Sequence, residues 1–379
     1  LYAWAGLSMF SLALAGSFAL LLAISRIPGI ETLILLPIDF FEKGLVIHVV
    51  FSFVVWFQAV FCCFLNVSTS RLALGAPRLE ALGWVALMAG YISCFFLFLP
   101  AFLERGEATL NNYIPAITDP LYYTGLILLA CSVSIMIFRF LINIWGSNSR
   151  WKEPLIYGTL CVGLIFIIAM LCFAIVENYM AMDEFSFDYN ESLFWGGGHV
   201  LQFANTALLI TSLYVLARLT LFDILVNENY LFMAGLALLV FYAATGVFFT
   251  LEFAPNNEKY WSTFTNFKYV MGIPIILAAF PIFLDALKKG IRDAVPTRSP
   301  SFICLVLSPL IFFIGGILGL FVDGADTRTP AHYHGIIAGI NLSFMGLFYG
   351  LFLPLLNREI EHTKALYAQI YLFGGGQLL

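Results

Sequence analysis

Apolar runs of about twenty residues, divided by short polar stretches, follow one another along the whole chain, and each could cross a bilayer as an α-helix. Ten complete runs fall roughly at 3–25, 45–66, 83–103, 122–145, 155–177, 194–217, 230–251, 262–284, 302–322 and 331–356. An eleventh starts near Ala365, and the sequence stops inside it at Phe373-Gly374-Gly375-Gly376-Gln377. With no Met at position 1, that break predicts a piece of a longer chain. The pattern predicts an all-α polytopic membrane protein with one transmembrane domain over residues 1–379. It shows no soluble domain, low-complexity tract or fixed-period repeat.

Composition agrees with a lipid solvent: 61% of residues are apolar, 11% are charged, and mean hydropathy is +0.93. The first run is too long and too balanced for a cleaved signal peptide. Loops assigned alternately to two sides separate by charge. One side carries twelve bases against eight acids, among them Arg71, Arg78, Arg150, Lys152, Lys288, Lys289 and Arg298. The other carries six bases and fifteen acids, with Glu177, Asp183, Glu184, Asp188 and Glu191 in one stretch lacking Lys or Arg. Basic loops stay cytoplasmic, so the N-terminus is expected inside and Asp326 outside, in a membrane that follows the positive-inside rule, best a bacterial inner membrane. The net charge of −5 therefore reflects acidic outer loops, and no nucleic-acid motif accompanies it. All seven cysteines, Cys62, Cys63, Cys94, Cys131, Cys161, Cys172 and Cys304, lie in apolar runs without metal-ligand spacing and are read as small hydrophobes.

Histidines carry the candidate chemistry. With this topology the second, sixth and tenth runs all enter from outside, and His48, His199, His332 and His334 lie near their outer ends. Four imidazoles at one depth in a lipid-facing protein are costly unless they bind something. His332 and His334 are one residue apart and point to different sides of a helix, so they would serve two centres rather than clamp one. Haem irons are the natural candidates. His362, beside Glu359 and Glu361 on the inner side, reads as a solvated surface residue.

The stretch Asp326-Thr327, three residues, then Ala331-His332-Tyr333-His334, together with Trp195-Gly196-Gly197-Gly198-His199 and His48, resembles subunit I of the haem-copper oxidases, a family that includes the nitric oxide reductases. The resemblance extends over nearly the whole chain and implies a bundle of about 11–12 transmembrane helices. It implies two haems, one with His48 and His334 as axial ligands and a second with His332 as its single protein ligand. Arg328, two residues past Asp326, reads either as an ordinary surface partner of that Asp or as a contact to a haem propionate. His199 would stand at the second metal.

The chain also departs from that pattern. The family holds its second metal with a further His-His pair at the outer end of the seventh helix, where this sequence reads Phe241-Tyr242-Ala243-Ala244-Thr245-Gly246-Val247-Phe248-Phe249-Thr250-Leu251-Glu252. Copper or non-haem iron would find only His199, with Glu252 as a weak further ligand, whereas copper of this kind takes three imidazoles. Phe203 stands where many oxidases place a redox-active tyrosine, and the His that usually precedes Asp326 is Ala325. Acidic residues such as Glu177 and Asp285 fall at helix ends or in loops, which argues against a strongly coupled proton pump. The glycines before His199 suit either close approach of a haem or close helix packing, and Trp56, Trp195 and Trp261 read as core and interface anchors.

The resulting expectation is a haem-binding respiratory subunit that passes electrons to a high-spin haem reducing O2 or NO. The alternative is a non-catalytic haem subunit for electron transfer, gas sensing or complex assembly. A cofactor-free transporter or structural subunit is a third class, disfavoured by the histidine layer. The chain has no Cys-x-x-Cys-His motif, so electrons must come from a partner subunit of the cytochrome c type or from quinol, in a hetero-oligomer. The charge asymmetry gives a direct test of sidedness. A cysteine at Glu184 should react with a membrane-impermeant thiol reagent in intact cells, and one at Arg298 only after the membrane is opened; the reverse pattern would invert the topology.

Overall fold

The computed structural model describes residues 1–379 apart from 31–38, 74, 104, 112, 146, 148–149, 181–183, 222–228, 293–295, 323–326 and 379, and apart from the side chains of 229, 282–283, 285–286 and 288–292. Asp183, Ala325 and Asp326 lie outside the described residues, as do the side chains of Asp285, Lys288, Lys289 and Arg292. Among the described residues ten helices are long and apolar enough to span a membrane. They are α1 (Tyr2–Ser25), α2 (Phe40–Leu72), α3 (Glu80–Phe102), α4 (Pro120–Ile144), α5 (Pro154–Tyr179), α6 (Phe187–Leu221), α7 (Asn229–Glu252), α8, α9 (Pro300–Leu320) and α10 (Arg328–Leu355). α8 comprises Glu258–Phe267, a 3₁₀ turn at Lys268–Met271, and Gly272–Arg292. A shorter α11 follows at Lys364–Gly376. The chain is therefore an all-α polytopic membrane protein.

The helices cluster in two compact units, Leu1–Ala204 with Leu239–Met271, and Asn205–Leu238 with Gly272–Leu379. In the first, helices meet through small residues whose hydroxyls bond a neighbour's backbone, a packing mode suited to lipid. Ser93 of α3 donates to the Gly125 carbonyl at 2.8 Å, and Ser132 of α4 returns a bond to the Ala86 carbonyl at 2.5 Å. Ser68 of α2 meets Thr159 of α5 at 2.9 Å. At its start α2 carries an ion pair, Lys43 Nζ to Asp39 at 2.5 Å, which buries the lysine and holds the Asp39 carboxyl below the usual carboxylate range. Six of the seven cysteines are buried and Cys131 is exposed on α4.

Two features differ from the apolar pattern. α2 contains a π-helical segment, Val50–Val55, directly after His48. Such segments shift the carbonyl ladder and are frequent at functional sites. The Phe51 carbonyl within it accepts the Ser11 hydroxyl of α1 at 2.5 Å. A second departure is α6, which starts at Phe187 rather than near 194. Its polar first turns are stable because they find buried partners. Asn190 accepts from Tyr123 at 2.7 Å and donates to Thr109 at 2.8 Å, and Tyr189 donates to Glu177.

In the second unit α9 and α10 cross at glycines. A Cβ on Gly335 would lie 2.5 Å from the Gly315 Cα, so only glycines permit the approach. Ser308 and Ser301 of α9 donate to the Gly339 and Gly346 carbonyls of α10 at 2.7 and 3.0 Å. α11 completes a small core with Ile303, Ile311, Leu342 and Ile370. At the C-terminal end of α10, Tyr349, Asn357, Arg358 and the exposed His362 border a cavity of about 690 Å³ with Ser299 and Ser301.

Ser11→Ala removes the hydroxyl from Phe51 and leaves a buried acceptor short of a donor. Unfolding in detergent should show a loss of about 1–3 kcal/mol. A wild-type midpoint would mean that the π segment holds without Ser11.

Candidate functional site

Three of the site histidines, His48, His199 and His332, are held by a backbone carbonyl of their own or a neighbouring helix. His48, half-buried on α2, has its Nδ1 2.9 Å from the Ala15 carbonyl of α1. A carbonyl only accepts, so Nδ1 carries the proton and the lone pair sits on Nε2. His332, in the first turns of α10, has its Nδ1 2.8 Å from the Gly315 carbonyl of α9. Its ring lies over Gly319, where a Cβ would be 2.5 Å from Nδ1. His334 is exposed two residues on, and Arg328, the first residue of α10, is also exposed. His48 and His199 belong to the first unit and His332 and His334 to the second.

His199 has a different setting. It is buried on α6 with both ring nitrogens engaged by protein. Nδ1 lies 2.7 Å from the Trp195 carbonyl, one turn earlier, and Nε2 lies 2.7 Å from the Tyr113 hydroxyl. Tyr113 comes from the connection between α3 and α4, which forms a small antiparallel hairpin of β1 (Ala108–Thr109) and β2 (Ala116–Ile117) with Ala108 opposite Ile117. The hairpin base is closed by Arg105 and Asp119 at 2.8 Å, and Asp119 also caps α4 by accepting from the Leu121 N–H at 2.8 Å. Gly106 sits at φ +65° against the Thr118 backbone, a conformation and a space that admit only glycine. Asn111 donates to the Phe187 carbonyl at 3.0 Å and to Glu191 at 2.8 Å, while its own buried carboxamide oxygen has no partner in the structure.

The three glycines before His199 serve packing. A Cβ at Gly196 would lie 2.4 Å from the Tyr260 hydroxyl, at Gly197 2.3 Å from the Phe173 ring, and at Gly198 2.8 Å from Tyr113. Gly196 N–H also donates to Tyr260 at 2.9 Å. Trp195 meets Trp261 edge to face at 4.7 Å and donates to its carbonyl at 3.3 Å. Trp56 is buried in the core, and Phe203 packs on Phe267 at 4.7 Å. Sequence reasoning missed Tyr113, Asn111 and Glu191 as neighbours of the site. No local signal could reveal Tyr113, because its contact with His199 spans 86 residues and its backbone takes the rare φ of +69°.

Two groups implied by the resemblance meet different fates. The imidazoles of His48 and His332 fit haem: a backbone carbonyl holds Nδ1 and orients Nε2, the arrangement that steadies metal-bound histidines. The donor set around His199 does not fit a copper with three imidazoles. Glu252 is exposed at the end of α7, and among the described residues no three His, Cys, Asp or Glu side chains gather to hold a metal.

A family model described as cytochrome C and quinol oxidase polypeptide I matches residues 1–379. An uncharacterised protein of Aquifex aeolicus (strain VF5) is 30% identical over 352 residues, covering 91% of this chain and 83% of its own length. An uncharacterised protein of Rickettsia prowazekii (strain Madrid E) is 24% identical over 441 residues, covering 100% of this chain and 84% of its own length.

Ring packing on the glycine run sets a stability test. Gly197→Ala should lower the unfolding midpoint in detergent through overpacking of about 1–3 kcal/mol. Gly16→Ala on α1, with nothing within 4 Å of the added methyl, is the control and should not.

Proposed function

The chain belongs to the cytochrome c and quinol oxidase polypeptide I family, and on that premise we propose that it is the haem-bearing subunit of a respiratory membrane complex. His48 and His334 would hold one haem, and His332 would hold the other. The observation that carries this reading is the anchoring of the His48 and His332 Nδ1 atoms on the Ala15 and Gly315 carbonyls, which leaves Nε2 as the nitrogen that would face an iron. When bound, haem would supply a six-coordinate redox centre between two imidazoles and, over one imidazole, an open face for a diatomic gas.

The protein groups have separate tasks. The two backbone carbonyls fix tautomer and ring heading, and raise the basicity of the opposite nitrogen. Gly319 gives the His332 ring room beside α9. Arg328 would pair with a propionate through a charge-assisted hydrogen bond. Electrons would arrive from a cytochrome c-like subunit or from quinol, within a hetero-oligomer in a bacterial inner membrane, the N-terminus being cytoplasmic. Reduction of O2 or NO would then take place beside His332, in one membrane domain formed by residues 1–379.

One observation favours a second reading, electron transfer or gas sensing without reduction. His199, the residue that would face the open haem, has both nitrogens bonded to protein, and among the described residues no metal-ligating set surrounds it.

Reduced-minus-oxidised spectra of the purified complex test the haem assignments. His48→Ala should remove the bis-imidazole low-spin species and keep the high-spin one, and His332→Ala should do the reverse. Loss of the same species from both variants would overturn the division of labour along α10.

A further inference from the structure

Within the first unit, the hairpin between α3 and α4 sets its left-handed tyrosine, Tyr113, against Gly198 and Trp195 and brings its hydroxyl to the Nε2 atom of His199. We propose that this contact is the permanent arrangement: the hairpin is a fixed plug, and a phenol–imidazole pair of Tyr113 and His199 takes the place of the second metal that the family carries. Neither haem assignment is needed for this.

The geometry makes phenol and metal mutually exclusive. The Trp195 carbonyl at 2.7 Å obliges His199 Nδ1 to carry the proton, so the ring has one lone pair, on Nε2. Tyr113, 2.7 Å away, donates its hydroxyl proton into that lone pair. A metal ion bound to His199 would need the same lone pair, and so would displace the phenol. Other ligands do not compensate. The ring neighbours of His199 are aromatic: Tyr113 at 4.5 Å, Trp195 at 5.0 Å and Phe264 at 5.9 Å between centroids.

Displacing Tyr113 would also disturb everything that seats it. Its Cβ and ring rest on Gly198, where any larger residue would collide. Two residues before it, Asn111 is tied to the Phe187 carbonyl and to Glu191, both on the first turns of α6. Thr109 on β1 receives a bond from Asn190, and Thr118 closes the hairpin with its N–H on the Glu107 carbonyl at 2.9 Å. Three polar groups in the first turns of α6, the Phe187 carbonyl and the side chains of Asn190 and Glu191, are thus spent on holding the hairpin down, and they are the turns that the apolar pattern did not predict to be helical. The Asn190 bond is buried and the two Asn111 bonds are part-buried, and losing them together would be a large fraction of a membrane helix contact.

The test uses the full complex, produced in medium replete in copper and iron. Haem is counted by its pyridine haemochromogen, and copper and iron by elemental analysis. Wild type, Tyr113→Phe and His199→Ala should all contain no copper and no iron beyond the haem iron. The infrared C–O band of Tyr113, identified as the band lost in Tyr113→Phe, should shift in His199→Ala, because the phenol has lost its acceptor. One non-haem metal per chain in the wild type, lost in His199→Ala, would overturn the proposal, as would a Tyr113 band indifferent to His199. A chain without haem would instead count against the haem assignments and leave the phenol–imidazole test intact.

Discussion

A polar atom inside a bilayer has no water to fall back on, and its partner must come from the protein itself. Most of what distinguishes this chain follows from that constraint. The same device recurs along the helices: a short hydroxyl or an imidazole nitrogen donates to a backbone carbonyl of a neighbouring helix. Ser11 on Phe51, Ser93 on Gly125, Ser308 on Gly339, His48 on Ala15 and His332 on Gly315 are chemically one interaction. It joins helices and, where the donor is an imidazole, decides which nitrogen keeps a lone pair. Packing and chemistry are therefore set by the same bonds, and the histidines are oriented by the glycine- and alanine-bearing faces that let helices come close.

Much of the architecture was legible in the sequence because hydropathy reports the lipid solvent directly. All ten predicted spans correspond to membrane-length helices. The misplaced boundaries share one cause. At α6 the helix continues through Asn190 and Glu191, residues that hydropathy assigns to water, because tertiary partners satisfy them. At α2 the apolar run gives no hint of the π segment, since hydropathy is blind to whether a carbonyl bonds four or five residues ahead. That His48, His199 and His332 fall on membrane-length helices was legible from the apolar runs. What surrounds His199 was not, because Tyr113 reaches it through a hairpin of two-residue strands in a connection that reads as ordinary loop.

Family membership and site geometry pull in different directions at one place only. The imidazoles on α2 and α10 are held as ligands of a redox cofactor would be, whereas the one on α6 is held as a member of an aromatic cluster. The relatives are themselves uncharacterised, so the contrast belongs to this chain's own side chains rather than to any borrowed role.

The glycine run of α6 has a mechanical consequence. Consecutive helix positions project about 100° apart, so the rings of Tyr260, Phe173 and Tyr113 meet the helix on three different sides and close around it like a collar. Turning α6, or sliding it by a single residue, would bring Trp195 or His199 beneath a ring that only a bare backbone can pass. The collar thus works as a keyway: it fixes both the height and the heading of the histidine that follows it by steric means, and one of its rings, Tyr113, adds a bond to the imidazole.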